Sequence, residues 1–343
     1  MHSALTGLGL TLPVLAAPMA GGPSTPQLVV AAARAGSLGF LGAGYKTPDA
    51  LADQIAEVRS AGVPFGVNLF APNPVPVDPD AYRQYRRQLQ QEADVYQIDL
   101  NTVPVREDND HWHDKVDMLL ADPAPVVSFT FGIPEPNVIT AFKNAGSLVA
   151  QTITSVDEAR LAAETDFDVL IVQAAAAGGH SGILTPDRLP PDVPLPQLLK
   201  DIGAATSLPL IGAGGLGTAD DVAAALAAGA IATAVGTVLL RSHEAGTSAP
   251  FRAALADTTR RGTVLTRAFT GRPARGLANV FTDRYSAVAP TGYPALHYLT
   301  SPIRKAAAAA GDPERINLWA GTGYRHATEE PAGSILNALA SNA

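Results

Sequence analysis

The 343-residue chain contains no cysteine. That absence removes disulfides, thiolate metal sites, iron–sulfur clusters and cysteine nucleophiles, and it suits a reducing compartment. Charge is also scarce, at 16% of residues against roughly 25% in an average globular protein. The 32 acidic and 24 basic side chains give a formal net charge of −8, which offers no footprint for nucleic acid or an anionic membrane surface. Small molecules are the expected partners. Long apolar runs are missing too. The uncharged stretch 222–240 is Ala-rich and cut by Gly229 and Gly236, so it reads as a helix handing over to a strand rather than as a membrane span. The first Lys or Arg is Arg34; the early apolar run therefore lacks the basic start of a secretory signal, and a cytoplasmic location is expected.

What is present is a rhythm. Hydrophobic residues make up 47% of the chain, in short apolar runs alternating with longer amphipathic ones, the pattern of repeated βα units. Strands are predicted at 13–17, 38–41, 65–69, 126–129, 148–151, 169–173, 209–212 and 231–236, and helices at 26–35, 48–60, 79–95, 114–120, 137–144, 155–164, 196–205 and 218–228. Thr25-Pro26, Thr47-Pro48 and Ser155 place capping oxygens at helix starts, and Ala35-Gly36, Ala61-Gly62, Ala145-Gly146 and Ala228-Gly229 put Gly where a left-handed C-cap is wanted. Eight such units close into a (β/α)₈ TIM barrel. Residues 1–240 are assigned to that barrel, with an insert near 71–114 lying over its mouth. Residues 241–343 are read as mainly helical and loop elements, with helices at 303–310 and 333–339, packed on the barrel as part of the same unit.

Several positions carry chemistry. Gly212, Gly214 and Gly217 match the G-x-G-x-x-G spacing, but the acidic residue that a dinucleotide fold places about 20 residues on is missing. In a barrel, the loops after strands seven and eight hold a phosphate on backbone N–H groups, and counting strands puts Gly214 and Gly215 in the first loop and Gly236 and Thr237 in the second. Gln173 ends strand six. His180 follows Gly178 and Gly179 in the loop behind it, where a histidine can transfer protons near neutral pH. Asn68, at the end of strand three, offers a donor and an acceptor suited to a heterocycle edge, and the backbone of Ala17, Pro18 and Met19 lines the mouth. The alternatives are tight turns for the glycines, a structural histidine, and a capping role for Asn68. His111, His113, Asp108, Asp110 and Asp114 are the one dense set of candidate metal ligands; they read as a solvated polar loop, and no metal is expected. Arg267, Arg272 and Arg275 serve either packing of the C-terminal elements or the substrate mouth.

The ordered segments APMAGG, GVNLF, VVSFTFGIP, AGGHSG, PLIGAGGLGT, GAIATAVGT, LTRAFTGRPARGL and LWAGTGYR resemble the FMN-dependent nitronate monooxygenases of the class I type, from about residue 12 to residue 325. The resemblance implies FMN at the barrel mouth, with its phosphate on the loops of Gly214, Gly215, Gly236 and Thr237. Its ring and ribityl chain would lie against Gln173, Asn68 and the Ala17, Pro18 and Met19 backbone, with Gly178 and Gly179 allowing close approach. His180 matches the catalytic histidine, able to take an α-proton from a neutral nitroalkane. The implied reaction is oxidation of alkyl nitronates, propionate 3-nitronate among them, by O₂ to a carbonyl compound and nitrite through a flavin semiquinone. The alternative is an NAD(P)H-dependent flavin reductase of the same superfamily, acting on quinones or enoyl thioesters. A monomer or homodimer is expected. Ala176, Ser181, Thr322, His297 and Tyr298 depart from residues common in the family and bear on substrate range.

Overall fold

A computed structural model describes residue 5 and residues 7–343. Eight parallel strands close a barrel: β1 (Val14–Ala16), β2 (Gly39–Gly42), β3 (Phe65–Phe70), β4 (Val126–Thr130), β5 (Leu148–Ile153), β6 (Val169–Gln173), then, after a two-residue strand β7 (Gly179–His180) outside the ring, β8 (Leu210–Ala213) and β9 (Ala232–Val235). β9 pairs back on β1, with Val14 opposite Thr233. These are the eight expected strands, to within two residues at each end. The helices of the first part are α1 (Pro26–Arg34), α2 (Pro48–Ser60), α3 (Pro79–Asp94), α4 (Trp112–Ala121), α5 (Pro136–Asn144), α6 (Val156–Ala163), α7 (Leu195–Gly203) and α8 (Ala219–Ala227).

Local chemistry sets the boundaries. Thr25, Thr47 and Ser155 each accept a hydrogen bond from the N–H three residues on, at the starts of α1, α2 and α6, satisfying a donor that the helix itself cannot. Gly36 and Gly229 leave α1 and α8 with φ of +87° and +107°, a region that costs a side-chain-bearing residue roughly 1–2 kcal/mol. Alternation along the strands then divides the core. Val14, Leu41, Val67, Phe129, Leu170 and Val172 face the helices, while Leu15, Phe40, Val126, Ala150, Ile171 and Ile211 fill the barrel.

The C-terminal part corrects the sequence reading in three places. Its helices are α9 (Ala249–Ala256), α10 (Val280–Tyr285), α11 (Ala295–Ala309) and α12 (Ala332–Leu339). Between α9 and α10 lies an antiparallel hairpin, β10 (Thr263–Thr266) and β11 (Ala274–Leu277), which pairs with β7. The surrounding Gly and Pro had masked the β-favouring run Thr-Val-Leu-Thr. α11 begins eight residues before the expected start and runs through Pro302; the buried stripe of Leu296, Leu299, Thr300 and Ile303 outweighs the donor that proline removes. Third, α12 packs on α1 and α8 and so fills the outer ring's eighth position, far along the chain from its strand. α3 stands outside that ring and packs through Tyr82, Tyr85 and Leu89 on Phe269, Phe281 and Leu296.

Candidate active site

At the C-terminal ends of the strands the inward-facing positions change character. Two residues beyond Gly66, Val126, Ala150 and Ile171 stand Asn68, Ser128, Thr152 and Gln173, so the same period-two pleat that points apolar groups into the barrel next points polar ones. Asn68 Nδ2 donates to Ser128 Oγ at 2.9 Å, Thr130 Oγ1 at 3.0 Å and the Ser128 carbonyl at 3.3 Å. Because a carbonyl can only accept, this orients the amide, and Asn68 Oδ1 is left without a donor among the described residues. The layer forms the floor of a cavity of about 390 Å³. All twelve site residues singled out in the sequence line it: Ala17, Pro18, Met19, Asn68, Gln173, Gly178, Gly179, His180, Gly214, Gly215, Gly236 and Thr237.

At one end, three loops touch backbone to backbone and a fourth joins them through a threonine hydroxyl. A Cβ on Gly178 would lie 2.5 Å from Gly321 N, and one on Gly214, whose φ is +99°, would lie 2.9 Å from the Ala174 carbonyl oxygen. Thr322 N–H donates to the Ala176 carbonyl at 3.0 Å. Gly321 N–H donates to Thr237 Oγ1 at 2.9 Å, which leaves the threonine O–H available as a donor. The N–H groups of Gly214, Gly215 and Gly236 find no acceptor among the described residues. Unpaired N–H groups from adjacent loops make a nest for an oxyanion such as phosphate. The β1 loop offers the opposite: Ala17 N–H is committed to Val235 O and Met19 N–H to Ser24 Oγ, so this backbone can offer a ligand only acceptors.

The other end is built around His180. Pairing of Gly179 with Arg275 and of His180 with Ala274 fixes β7 against β11. Gln173 clamps the same loop, its Nε2 donating to the His180 carbonyl at 3.2 Å and its Oε1 accepting from Gly182 N–H at 2.7 Å. His180 Nε2 lies 2.9 Å from Thr270 Oγ1. The hydroxyl can donate to the Arg272 carbonyl at 3.3 Å; Nε2 then carries the proton and Nδ1, without a partner among the described residues, is the basic atom. Burial, then the charges of Arg272 and Arg304, lowers the His180 pKa to about 3, so the imidazole is neutral at physiological pH. The accessible part of His180 opens onto the cavity, whose position deep in the protein explains how a half-exposed ring is so strongly desolvated.

Sequence reasoning missed the rest of this end. Phe131, Tyr293 and Trp319 surround the imidazole at centroid distances of 5.8, 5.8 and 5.5 Å. Tyr45 stacks on His297 at 4.2 Å. Tyr45 and Phe131 hold φ of +68° and +84°, a conformation rare for bulky residues and concentrated at functional sites. Tyr45, Phe70 and Phe131 also wall off a second cavity of about 440 Å³ beneath the Pro72–Pro76 segment. In the polar loop, His111, His113 and Asp114 are exposed as expected, whereas Asp110 turns inward to Lys115 Nζ at 2.7 Å and accepts from Tyr45 N–H. Of the three arginines left open, Arg267 holds the carbonyls of 186–188, Arg275 donates to the Ala175 carbonyl, and Arg272 is fully buried behind Phe131.

Comparison with known proteins agrees with this geometry. The chain matches the nitronate monooxygenase family model over residues 2–342. It is 32% identical over 99% of its length to a probable nitronate monooxygenase of Bacillus subtilis, covering 98% of that protein. It is 36% identical over 96% of its length to one of Staphylococcus aureus, covering 94% of that protein. The structure superimposes on a nitroalkane oxidase from Streptomyces ansochromogenes with a TM-score of 0.94 and 44% identity, over 99% of this chain and 97% of the other.

Proposed function

Because the chain belongs to the nitronate monooxygenase family, we propose that it is an FMN-dependent enzyme that oxidises small alkyl nitronates with O₂, giving a carbonyl compound and nitrite. The observation that carries this reading is one cavity with an N–H nest at one end and, at the other, a neutral histidine near the fully buried Arg272 and the half-buried Arg304. Bound FMN would supply the redox chemistry, one-electron oxidation of the nitronate coupled to reduction of O₂. Gly214, Gly215, Gly236 and Thr237 would hold its phosphate, and Asn68 Oδ1 with the β1-loop carbonyls would accept from its ring N–H. Gly178 and Gly179 let the chain approach the ring.

His180 acts on neutral nitroalkanes, Nδ1 receiving the α-proton. A base whose pKa lies near 3 is weak by itself. Burial is the main cause of that low value, and the charges of Arg272 and Arg304 add to it; those same charges stabilise the nitronate anion formed, so the product's electrostatics favour the transfer. A preformed nitronate needs no such step, and nitronates are therefore the better substrates.

The test is anaerobic addition of propionate 3-nitronate and, separately, NADH or NADPH to the purified yellow protein while flavin absorbance is followed. Bleaching by the nitronate, with nitrite and O₂ uptake on aeration, supports the reading. Rapid bleaching by a nicotinamide cofactor without response to nitronate moves the protein to the flavin reductases. A colourless protein that FMN cannot reconstitute overturns both.

A further inference from the structure

Resting on the reading just given, we propose that the His180 end of the cavity is a dedicated anion site and that Arg304 is the residue that binds the two nitronate oxygens. Arg304, on α11, lines the cavity together with His180, His297, Tyr45 and Trp319. Its acceptors are all neutral: Thr300 Oγ1 at 3.1 Å from Nε, Asn317 Oδ1 at 3.2 Å from Nη1, and the His297 carbonyl at 2.8 Å and Nδ1 at 3.4 Å from Nη2. Those contacts take at most four of five guanidinium N–H groups. At least one N–H, on Nη1, remains without an acceptor among the described residues. Burial lowers the Arg304 pKa to about 10, so the group stays a cation.

Two other buried charges in the chain are paired. Glu92, fully buried, accepts from Arg284, Arg315 and Tyr285, and Lys115 is paired with Asp110. A desolvated cation without a salt-bridge partner is costly to keep; among the described residues neither Arg304 nor Arg272 has one, although the buried Glu158 acts on Arg272 from further away. Arg272 lies 3.9 Å from the Phe131 ring centroid and donates to the carbonyls of Ser181 and Ile183, while its Nη1 is buried without a partner among the described residues. It adds positive charge from behind the wall; Arg304 adds it from the wall itself. A planar group with two anionic oxygens matches a guanidinium fork, and a neutral nitroalkane gains much less from it.

Propionate, a planar anion that carries no nitrogen to oxidise, is the probe, titrated calorimetrically into flavin-loaded wild type, Arg304→Met and Arg304→Gln. Removing the charge is expected to weaken propionate binding and to raise KM for ethylnitronate by roughly tenfold or more, while KM for nitroethane changes less than about threefold and bound flavin is retained. The glutamine variant, which keeps a polar amide in place of the guanidinium, serves if the methionine variant does not fold. Unchanged propionate binding, or an equal rise in KM for ethylnitronate and nitroethane, overturns the assignment. If wild type turns over neither substrate yet binds propionate through Arg304, the activity reading fails while the anion site stands.

Discussion

His180 Nε2 and Thr270 Oγ1 lie 2.9 Å apart, brought together from positions 90 residues distant in the chain. The hydroxyl that joins them also accepts from Arg272 N–H and can donate to the Arg272 carbonyl, so one threonine sets both the tilt and the tautomer of the imidazole. Thr270→Val keeps the shape and removes the hydroxyl. Nitroethane kcat/KM is expected to fall by roughly 10–100-fold, less than the roughly 10²–10⁴-fold of losing the base itself, with ethylnitronate affected less than about threefold. His180→Asn should show the same split more strongly and keep its flavin. Oxygen-uptake kinetics on the two substrates check this; equal losses on both would refute the base role.

The His180 pKa is lowered from 6.5 to about 3. With the folded pKa below the unfolded one, the unfolded chain binds the extra proton between these values, so this group's stabilising contribution is complete above about pH 6.5 and is lost as pH falls toward 3. Wild type should therefore lose thermal stability faster than His180→Gln as pH is lowered from 6.5 to 4. The nitroethane kcat/KM profile should show no inflection between pH 6 and 7 that disappears in His180→Asn; such an inflection would mean a normally titrating imidazole.

Gly214→Ala forces a side chain into a φ of +99°, with its Cβ 2.9 Å from the Ala174 carbonyl oxygen and from Ala177 N. Backbone must shift, and the shift falls on the N–H nest. The purified variant is expected to carry far less flavin per chain than wild type, read from the ratio of visible to protein absorbance. Gly262→Ala is the control: its φ of +122° is equally unfavourable, but open space surrounds it, so it should be destabilised while keeping its flavin.

Lys115 is 1% exposed and pairs with Asp110, which in turn holds Tyr45 N–H at 2.9 Å. Lys115→Met leaves the half-buried Asp110 carboxylate unpaired, which should cost less than the roughly 3–5 kcal/mol of breaking a fully buried pair. Burial already raises the Asp110 pKa with the lysine in place, so its loss should drive the carboxyl to protonate. Adding Asp110→Asn should recover part of the stability, because the amide oxygen can still accept from Tyr45. Urea denaturation at pH 7 compares the three proteins; no difference between wild type and the single variant would mean the pair contributes nothing.

The sequence by itself determined the barrel and much of its mouth. Helix caps at Thr25, Thr47 and Ser155, the glycines that end helices, and strand periodicity are local signals, each readable within a few residues because it arises from one residue's backbone preference or one hydrogen bond. The strand count then carried Gly214, Gly215, Gly236, Thr237, Gln173 and His180 to one cavity, since a closed parallel barrel leaves the loops after its strands no other face. The hairpin of β10 and β11, the far-displaced eighth ring helix α12, and the choice among Arg267, Arg272 and Arg275 were decided only by the tertiary structure. So was the cationic, aromatic end, where Tyr45, Phe131, Thr270, Tyr293 and Trp319 from five loops meet Arg304 from one helix. No spacing announces that meeting, because the unpaired charge of Arg304 becomes a property only when burial removes the water that would have satisfied it.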